Sequence, residues 1–253
     1  MQDCAAVILA LDTATDRVHL ALADGRQTHV QALPGGAQAS STLLPAMQAL
    51  LGAHGRTWAD VQALACGLGP GAFTGLRTAC SVAQGLAVGL DCPVLGLDTL
   101  MAVAEDLRQR QPDVVPAGQR VWVLQDARMG EMYVAAFDWS GAAWQVGVEP
   151  ALWALDAPLQ QWPGAEADGL VLAGSGLGVW PTAVQEALAP RVRWMDAQAC
   201  PSGGALAQLA RQAWDRGDRL DAALLLPRYV RDKVAQTTAE RTAERRVAGQ
   251  AGA

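Results

Sequence analysis

The run Gly67-Leu68-Gly69-Pro70-Gly71-Ala72-Phe73-Thr74-Gly75-Leu76-Arg77 has three glycines and a proline within its first five residues. It follows an apolar run that ends at Cys66 and leads into a stretch of small residues typical of a helix. Such a composition lets the backbone turn sharply, and Thr74 is a good N-cap for the helix that follows. The free N–H groups at a helix start favour phosphate or another anion. The run therefore predicts a strand, a tight turn and a helix whose backbone can bind an anion, with candidate contacts at Gly69, Gly71, Thr74 and Gly75.

This turn differs from a P-loop and fits a dinucleotide-binding fingerprint only loosely. The spacing G-x-x-x-x-G-K-[ST] is absent, and the single lysine of the chain lies far away near the C-terminus, which excludes a P-loop NTPase. Gly67, Gly69 and Ala72 satisfy the pattern G-x-G-x-x-G/A, and Asp91 and Asp98 lie near the position of an acidic ribose partner. A Rossmann glycine turn follows the first strand of its domain, whereas at least three strand-like runs precede this one. A tight turn selected for packing alone is the other interpretation.

The composition is that of an acidic protein with a large core. The chain has 253 residues, a net charge of −6 and 51% apolar residues, a length that suits two domains of about 100 to 120 residues. The acidic balance argues against nucleic-acid binding by this chain alone. Its five cysteines show no C-x-x-C pair, which predicts reduced core residues in a cytoplasmic protein. We expect neither a signal peptide nor a membrane span.

Charged residues are scarce in the first 100 positions. Those positions hold 11 of the Asp, Glu, Lys and Arg residues, and positions 101–253 hold 33. Two predicted helices in this part have no charged face, although a helix exposed on one side normally carries charges there. An uncharged surface of small residues is typical of an interface core, and the alternative is that both helices are buried in their own domain. The candidate interface residues are Leu43, Met47, Leu50 and Leu51 on the first helix and Thr78, Val82, Gly85 and Leu86 on the second.

Apolar runs, helical patterns and turn signals predict the order of the elements. Strands are predicted over 6–12, 18–23, 28–33, 61–66 and 93–97, and helices over 41–54, 74–90 and 99–110. Three antiparallel strands followed by helix, strand, helix, strand and helix form a ribonuclease-H-like unit. After a break at 111–118, rich in Pro and Gly, the second half repeats this order in outline. Its strands are predicted over 120–125, 131–139, 143–148, 169–173 and 192–195, and its helices from 179 and over 204–216.

The predicted fold class is therefore α/β, with two tandem ribonuclease-H-like domains of the actin, Hsp70 and sugar-kinase type. Each domain has a mixed sheet flanked by helices. The N-terminal domain is predicted over residues 1–110 and carries the glycine loop and both uncharged helices. The C-terminal domain is predicted over 111–234, and residues 235–253 are expected to form a flexible tail.

Five separated blocks of the sequence carry a family pattern. They are residues 9–13 (LALDT), 43–45 (LLP), 67–77 (the glycine loop), 126–133 (DARMGEMY) and 227–231 (PRYVR). Together they resemble the bacterial TsaB family, also called YeaZ, in the family's order and from about residue 6 to 235. The glycine loop and the DAR block are the most specific of the five. Two positions depart from the family, since Ala72 replaces a common serine and residues 38–40 replace the usual His-Ser helix start.

The resemblance implies a non-catalytic subunit of the machinery that places threonylcarbamoyl on N6 of the adenosine beside the anticodon of certain tRNAs. Family members pair with the catalytic subunit TsaD through helices of the N-terminal domain, and a small ATPase, TsaE, joins them. The implied partners are thus a TsaD-type subunit, a TsaE-type ATPase, and tRNA through the assembled complex only. A homodimer is expected when the chain is alone. ATP or ADP is expected at the assembled complex, while no cofactor and no catalytic residue is assigned to this chain.

The sequence also lacks the histidine pair with which the catalytic paralogue holds its metal. That subunit carries His-x-x-x-His on a helix, which puts both imidazoles on one helix face, but the corresponding segment here, 99–104, has no histidine. His19, His29 and His54 are scattered over two strands and a helix end. We expect them to be ordinary, partly exposed side chains, and no metal site is predicted.

Two sets of polar residues complete the prediction. Asp12 ends the first strand, where nucleotide-binding relatives orient Mg²⁺ or water, but Asp-x-Thr is equally a capped turn. Asp126, Arg128 and Glu131 lie on a polar turn, where a structural ion pair of Arg128 with either acid is favoured. We therefore prefer a scaffold that makes a catalytic partner competent. The alternatives are an ATP-dependent phosphotransferase of the sugar-kinase class, using Asp12 and both glycine turns, and a dinucleotide-binding oxidoreductase.

Overall fold

The computed structural model describes residues 6–36, 39–162 and 169–231. The first half contains the strands β1 (Val7–Asp12), β2 (Arg17–Asp24), β3 (Gln27–Pro34), β4 (Ala63–Gly67) and β5 (Val94–Leu97) and the helices α1 (Ala39–Ala53), α2 (Phe73–Leu90) and α3 (Thr99–Arg110). The second half contains β6 (Arg120–Arg128), β7 (Glu131–Trp139), β8 (Trp144–Ala154), β9 (Leu170–Ala173) and β10 (Val192–Asp196) with α4 (Pro158–Gln161), α5 (Thr182–Leu188) and α6 (Gly203–Arg216). Short 3₁₀ turns lie at Trp58–Asp60, Ser175–Val179, Ala189–Arg191 and Ala222–Leu224.

The strands form two mixed five-stranded sheets with the same topology. The first has the order β3-β2-β1-β4-β5 and the second the order β10-β9-β6-β7-β8. β1 pairs antiparallel with β2 and parallel with β4, and β6 pairs in the same way with β7 and β9. The predicted α/β class, with two mixed sheets flanked by helices, is confirmed.

The central strand β1 is buried on both faces. Its sequence VILALD contains only buried residues, since helices cover the sheet on each side. Ile8 and Ala10 lie in the core shared with α3 and α6, whereas Leu9 and Leu11 lie in the core shared with α1 and α2. This division follows from the alternation of side chains along a strand. The apolar run predicted over 6–12 thus becomes the middle of the first sheet.

The helices α3 and α6 form a layer between the two sheets. α6 packs on β1, β2 and β3 of the first sheet, although it follows the last strand of the second. α3, which follows the first sheet, packs on β6 of the second sheet and on α6. The strands before residue 111 form one sheet and those after it form the other. The helices α3 and α6 do not follow this division, because each packs on the sheet of the other half. The domain bounds 1–110 and 111–234 stay a prediction, and the tail predicted over 235–253 lies outside the described residues.

Several predicted element ends were wrong for local reasons. Thr74 is not the N-cap of α2, because the helix begins one residue before it, and Ala72 holds the cap position without a side-chain hydrogen bond. β8 runs to Ala154 instead of residue 148, because irregular pairing lets it follow β7 for its whole length. The helix predicted from residue 179 begins at Thr182, after a 3₁₀ turn. Within the described ranges, no helix is long and apolar enough to cross a membrane.

Candidate functional site

A cleft with a volume of about 930 Å³ lies between the two halves of the molecule. The carboxyl ends of β1, β4 and β6 meet there, and ligands of open α/β sheets bind at such ends. Its walls come from the β1–β2 turn, the start of α2, the β6–β7 hairpin and a C-terminal segment that crosses from one half to the other. We call this segment, residues 226–231, the C-terminal strap. The lining segments are residues 13–17, 71–76, 125–128, 197–200 and 228–231.

Two glycines of the loop permit backbone contacts that a side chain would prevent. A Cβ on Gly67 would lie 1.9 Å from Oδ2 of Asp12, and a Cβ on Gly75 would lie 2.0 Å from the carbonyl oxygen of Thr13. Such distances are far inside van der Waals contact. The loop and the start of α2 thus pack directly onto the end of β1 and the turn that follows it.

The carboxylate of Asp12 is enclosed beneath this loop. The Thr99 hydroxyl donates to its Oδ2 over 2.6 Å, and the backbone N–H of Ala14 donates to its Oδ1 over 2.7 Å. The residue is 0% exposed, and burial raises its pKa to about 6 despite these two hydrogen bonds. The Thr99 hydroxyl oxygen also accepts the N–H of Gly69 over 3.0 Å. Asp12 is therefore the end of a short hydrogen-bond chain that begins in the glycine loop.

The cleft receives only part of the predicted anion site. Gly71, Thr74 and Gly75 line it, whereas Asp12 and Gly69 do not. Both residues are buried, Asp12 beneath Gly67 and Gly69 against Leu76 and the backbone of Arg228. The hydrogen bond from the Ala14 N–H makes Asp12 part of a capped turn, the other interpretation of Asp-x-Thr, and the ligand contacts of Asp12 and Gly69 stay a prediction. The first-turn N–H groups of α2 have no partner within their helix, as at any helix start. The phosphotransferase hypothesis loses its main support, since it used the Asp12 carboxylate.

The C-terminal strap joins both halves through Arg228. Its backbone N–H donates to the carbonyl of Leu68 over 2.8 Å. Its guanidinium pairs with Asp98 over 3.2 Å and also with Glu149 of β8. Asp98 caps α3 by accepting the N–H of Leu100 over 2.8 Å, and burial raises the pKa of this carboxyl to about 6. Asp98 is thus a helix cap and an ion-pair partner, in place of the ribose contact considered from the sequence.

Tyr229 of the strap packs against Phe73 and Arg77 of α2. The Arg77 guanidinium lies 3.8 Å from the centroid of the Phe73 ring, and its Nε donates to the Tyr229 hydroxyl over 3.0 Å. The two rings are 5.2 Å apart. Sequence reasoning missed these contacts and the role of Thr99. The Asp98-Thr99 pair at the end of a strand was an available cap signal, whereas nothing in the spacing indicated the partners of the strap.

The β6–β7 hairpin carries the predicted polar residues. Arg128 pairs with Asp126 over 2.8 Å, as favoured from the sequence, and the Arg128 side chain remains 78% exposed. Glu131 instead pairs with Arg231 of the strap over 2.6 Å. Arg128 and Met129 have φ values of 63° and 58°, in the left-handed region that residues other than glycine rarely adopt. The tip thus projects a cation at the mouth of the cleft.

Buried polar atoms occur beside the cleft. His19 is 5% exposed, and its Nε2 has no hydrogen-bond partner. Gln125 is 8% exposed, and its Oε1 also has no hydrogen-bond partner. Burial lowers the pKa of His19, so the expectation of a partly exposed side chain was wrong for this residue. His29 and His54 stack on each other with centroids 3.5 Å apart. Across the described ranges, no three His, Cys, Asp or Glu residues converge to hold a metal ion.

The structure divides the eight candidate interface residues by exposure. The four on α1 fill the core between this helix and the first sheet, so they are not surface residues, and their assignment to an interface is corrected. The reason is that α1 turns the apolar side formed by these four residues toward β2 and β3. On α2, Gly85 is exposed and Thr78, Val82 and Leu86 are partly buried. The corrected residues are Leu43, Met47, Leu50 and Leu51, which are at most 6% exposed.

A protein family model matches most of the chain. The family model described as "TsaD: tRNA N6-adenosine threonylcarbamoyltransferase" matches residues 26–239, which span strands of both sheets. The chain therefore belongs to the TsaD family in this broad sense.

Individual relatives narrow the assignment. The protein "tRNA threonylcarbamoyladenosine biosynthesis protein TsaB" of Escherichia coli K12 is 35% identical over 182 residues, which are 69% of this chain and 73% of that protein. The protein of the same name in Haemophilus influenzae is 41% identical over 132 residues, 50% of this chain and 51% of that one. The solved structure of YeaZ from Pseudomonas aeruginosa has a TM-score of 0.76 and 31% identity, and the match covers 88% of this chain and 99% of that one. Within the wider family, this chain is a member of the TsaB family, also called YeaZ, and the resemblance noted from the sequence is confirmed.

Proposed function

We propose that this chain is a non-catalytic subunit of the complex that transfers a threonylcarbamoyl group to N6 of the adenosine beside the tRNA anticodon. The relatives from E. coli and H. influenzae are named as tRNA threonylcarbamoyladenosine biosynthesis proteins, which supports this role. In the proposal, the chain binds a TsaD-type catalytic subunit in the cytoplasm and makes it competent. It contributes no acid, base or metal to the reaction.

The outer face of α2 is the observation that carries the partner proposal. Thr74, Thr78, Ser81, Gly85 and Val88 are spaced by three or four residues, so they share one side of the helix. None of them is charged or fully buried, and Val88 is 76% exposed. A Cβ on Gly85 would meet no atom within 4 Å, which leaves room for another chain to approach closely. An exposed face without charges is typical of the centre of a protein interface.

The same kind of surface continues onto α1, which packs against α2. The exposed side of α1 carries Leu44, Gln48 and Gly52, and Leu44 is 42% exposed. A Cβ on Gly52 would also meet no atom within 4 Å. Both helices therefore carry an exposed side without charged residues, which supports a partner that brings a matching uncharged face.

The remaining partners of the proposal follow from the family role. A TsaE-type ATPase joins the assembled complex, and tRNA is contacted only through that complex. ATP or ADP binds at the complex and not at this chain alone. Without its partner, the chain forms a homodimer through the same uncharged sides of α1 and α2, because a surface suited to one interface can also pack against its own copy.

The test measures complex formation between the full chain and the TsaD-type subunit of the same cell, by size-exclusion chromatography with light scattering. Val88→Glu places a charge on the outer face of α2 without disturbing the core. We expect it to abolish the heterodimer and to reduce tRNA modification, since an unpaired charge in an interface core costs several kcal/mol. Leu50→Glu would be a poor test, because that side chain is 6% exposed and the variant would unfold.

The matched control is Val146→Glu, which puts the same charge on an exposed valine of β8 in the other half. Val146 is 44% exposed, and its variant is expected to form the heterodimer as the unmodified protein does. The proposal is overturned if the unmodified protein forms no heterodimer. It is also overturned if Val88→Glu binds the catalytic subunit as strongly as Val146→Glu does.

A further inference from the structure

We propose that Asp12, acting through the Thr99 hydroxyl, is a positioning residue that fixes the first turn of α2 and so sets the geometry of the partner-binding face. The existence of a binding partner rests on the proposed function. The positioning role rests on the hydrogen bonds around Asp12. Asp12 itself touches neither the cleft nor the outer face of α2. Its effect on binding would therefore be indirect.

One arm of the arrangement leads from Asp12 into the glycine loop. The Thr99 hydroxyl donates to Asp12 and accepts from the N–H of Gly69, so a single oxygen joins the end of β1 to the loop. The backbone N–H of Thr99 donates in return to the carbonyl of Gly69 over 3.2 Å. Gly69 has a φ of 97°, a backbone conformation that glycine adopts readily and other residues rarely do, and in this conformation it makes both contacts. Thr99 thus fixes the loop from the α3 side.

The other arm leads from Asp12 through the β1–β2 turn to the helix itself. Oδ1 of Asp12 accepts the N–H of Ala14, and the carbonyl of Ala14 accepts the N–H of Ala72 over 2.8 Å. The Thr13 hydroxyl donates to the carbonyl of Gly75 over 2.6 Å. Both contacts reach residues at the very start of α2. The carboxylate therefore holds two segments, the loop and the turn, between which the helix begins.

The presence of a carboxylate at this buried position supports a role beyond packing. A buried carboxylate raises the free energy of the folded state unless its hydrogen bonds compensate for lost water. Here the compensation is incomplete, since burial is the largest influence on the pKa of Asp12 and raises it. An apolar residue of similar size would avoid that penalty but could not accept from Ala14 and Thr99. The ionised oxygens form stronger hydrogen bonds than a neutral group does, which suits a residue that must hold two segments in place.

The experiment compares Thr99→Val with Thr99→Ser in the full chain. Valine keeps the volume of threonine and removes the hydroxyl, which leaves the Asp12 Oδ2 and the Gly69 N–H without their shared partner. Serine keeps the hydroxyl and serves as the rescue variant. Val134→Ala is a third variant, because it removes methyl groups from the buried core of the second sheet and lowers stability without approaching α2.

Two quantities are measured for each variant at a temperature where all are folded. The first is the hydrogen-exchange rate of the amides of Gly69 and residues 73–75 in the isolated protein. The second is the affinity for the catalytic partner. We expect Thr99→Val to speed exchange at these amides and to weaken partner binding about tenfold. Thr99→Ser and Val134→Ala are expected to stay within about twofold of the unmodified protein in affinity.

The outcomes separate this inference from the function on which it rests. If the unmodified protein binds no partner, the proposed function fails, while the exchange rates still report whether Thr99 and Asp12 hold the start of α2. If the partner binds but Thr99→Val has unchanged exchange and affinity, positioning by Asp12 is overturned. An equal loss of affinity in Val134→Ala would also overturn it, because stability alone would then explain the effect.

Discussion

The two halves of the molecule share a sheet topology but use the turn after the second parallel strand in different ways. In the first half, β4 leads through the glycine loop into α2, a helix of 18 residues. In the second half, β9 leads through a 3₁₀ turn into α5, a helix of seven residues. The same junction thus supports a long helix with an exposed uncharged face in one half and a short connection in the other. At this junction, the exposed helix face without charged residues therefore occurs in the first half.

The two halves also differ in the acid at or near the end of their central strand, which is Asp12 in β1 and Asp126 in β6. Asp12 at the end of β1 is fully enclosed and holds backbone segments together. Asp126 near the end of β6 remains partly exposed and pairs with the exposed Arg128 at the cleft mouth. The first half therefore uses its acid for internal geometry, and the second half uses its acid to present a charge to the cleft.

The largest effect is expected from Gly67→Ala. Its Cβ would lie 1.9 Å from the enclosed Asp12 carboxylate, so the loop or the end of β1 must shift. We expect a loss of at least about 4 kcal/mol in the free energy of unfolding, measured by urea denaturation. The control is Gly178→Ala in the turn after β9, where an added Cβ meets no atom within 4 Å and a change below about 1 kcal/mol is expected. Equal losses at the two sites would contradict the collision with Asp12 as the cause of the effect.

A second effect concerns the link between the halves at Glu105 of α3. This carboxylate is fully buried, pairs with Arg108 over 2.7 Å and accepts the indole N–H of Trp144 in the second half over 2.9 Å. Glu105→Gln should lower the free energy of unfolding by about 3 kcal/mol, because it leaves buried donors poorly matched. Glu149→Gln is the control, since that acid is 70% exposed and a change below about 1 kcal/mol is expected. Thermal unfolding of both variants measures the difference, and a small effect at Glu105 would show that this buried carboxylate adds little to the link between the halves.

Local sequence patterns predicted most of the strands and helices, because each type of element has its own hydrophobic periodicity and is bounded by typical turn residues. The run over 6–12 and the glycine turn at 67–71 both correspond to observed structure, and the order of elements repeats as expected. The packing of α6 on the first sheet could not be predicted from local patterns, since it depends on contacts between residues far apart in the sequence. The same limit applies to Leu43 and Leu50, whose apolar spacing is equally consistent with a core and with an interface.

The candidate site was harder to predict than the fold for the same reason. The type and place of Asp12 suggested a ligand contact, but only the fold shows Gly67 lying over its carboxylate. Arg228 lies 130 positions from Asp98, so no local pattern predicts their ion pair. Sequence reasoning therefore placed Gly71, Thr74 and Asp126 at the cleft but did not predict the contacts that the buried residues make.

A third effect is the pH dependence of stability, which should differ between the enclosed Asp12 and the partly exposed Asp138. Burial raises the pKa of Asp12 from 3.8 to about 6, so the folded state binds a proton more readily than the unfolded state does. Stability then rises as pH falls from about 6 to 4, and above pH 6 the ionised group costs up to about 3 kcal/mol. Asp12→Asn should remove this rise and raise stability at pH 7.5 by about 2 kcal/mol. Burial also raises the pKa of Asp98 to about 6, and the charge of Asp98 is a smaller cause of the shift at Asp12. The variant therefore keeps a rise in stability that belongs to Asp98, and the loss of the Asp12 rise is measured as the difference between the two pH curves.

The control for that experiment has the opposite sign. The Arg120 guanidinium lowers the pKa of Asp138 below its usual value, so this pair stabilises the fold above pH 4 and loses its contribution as the carboxylate is protonated in acid. Asp138→Asn should therefore destabilise the protein at pH 7.5, by no more than about 1 kcal/mol because the pair is partly exposed. Urea denaturation at pH 4 to 8 compares the two variants. A fall in stability on Asp12→Asn at pH 7.5 would show that its hydrogen bonds outweigh the cost of burying the charge.

The smallest effect on stability, and the sharpest on function, is expected from the exposed helical glycines. Gly85→Ala in α2 and Gly52→Ala in α1 each add a Cβ where no atom lies within 4 Å, so both should stabilise the isolated protein by about 0.5 to 1 kcal/mol. A partner backbone that packs closely against a glycine would collide with the added methyl group. A variant that melts at a higher temperature but binds the catalytic partner more weakly therefore identifies the helix in contact. If Gly85→Ala alone shows this combination, α2 is the contact helix; if Gly52→Ala alone does, α1 takes that role; and if neither loses affinity, the partner does not pack closely against either glycine.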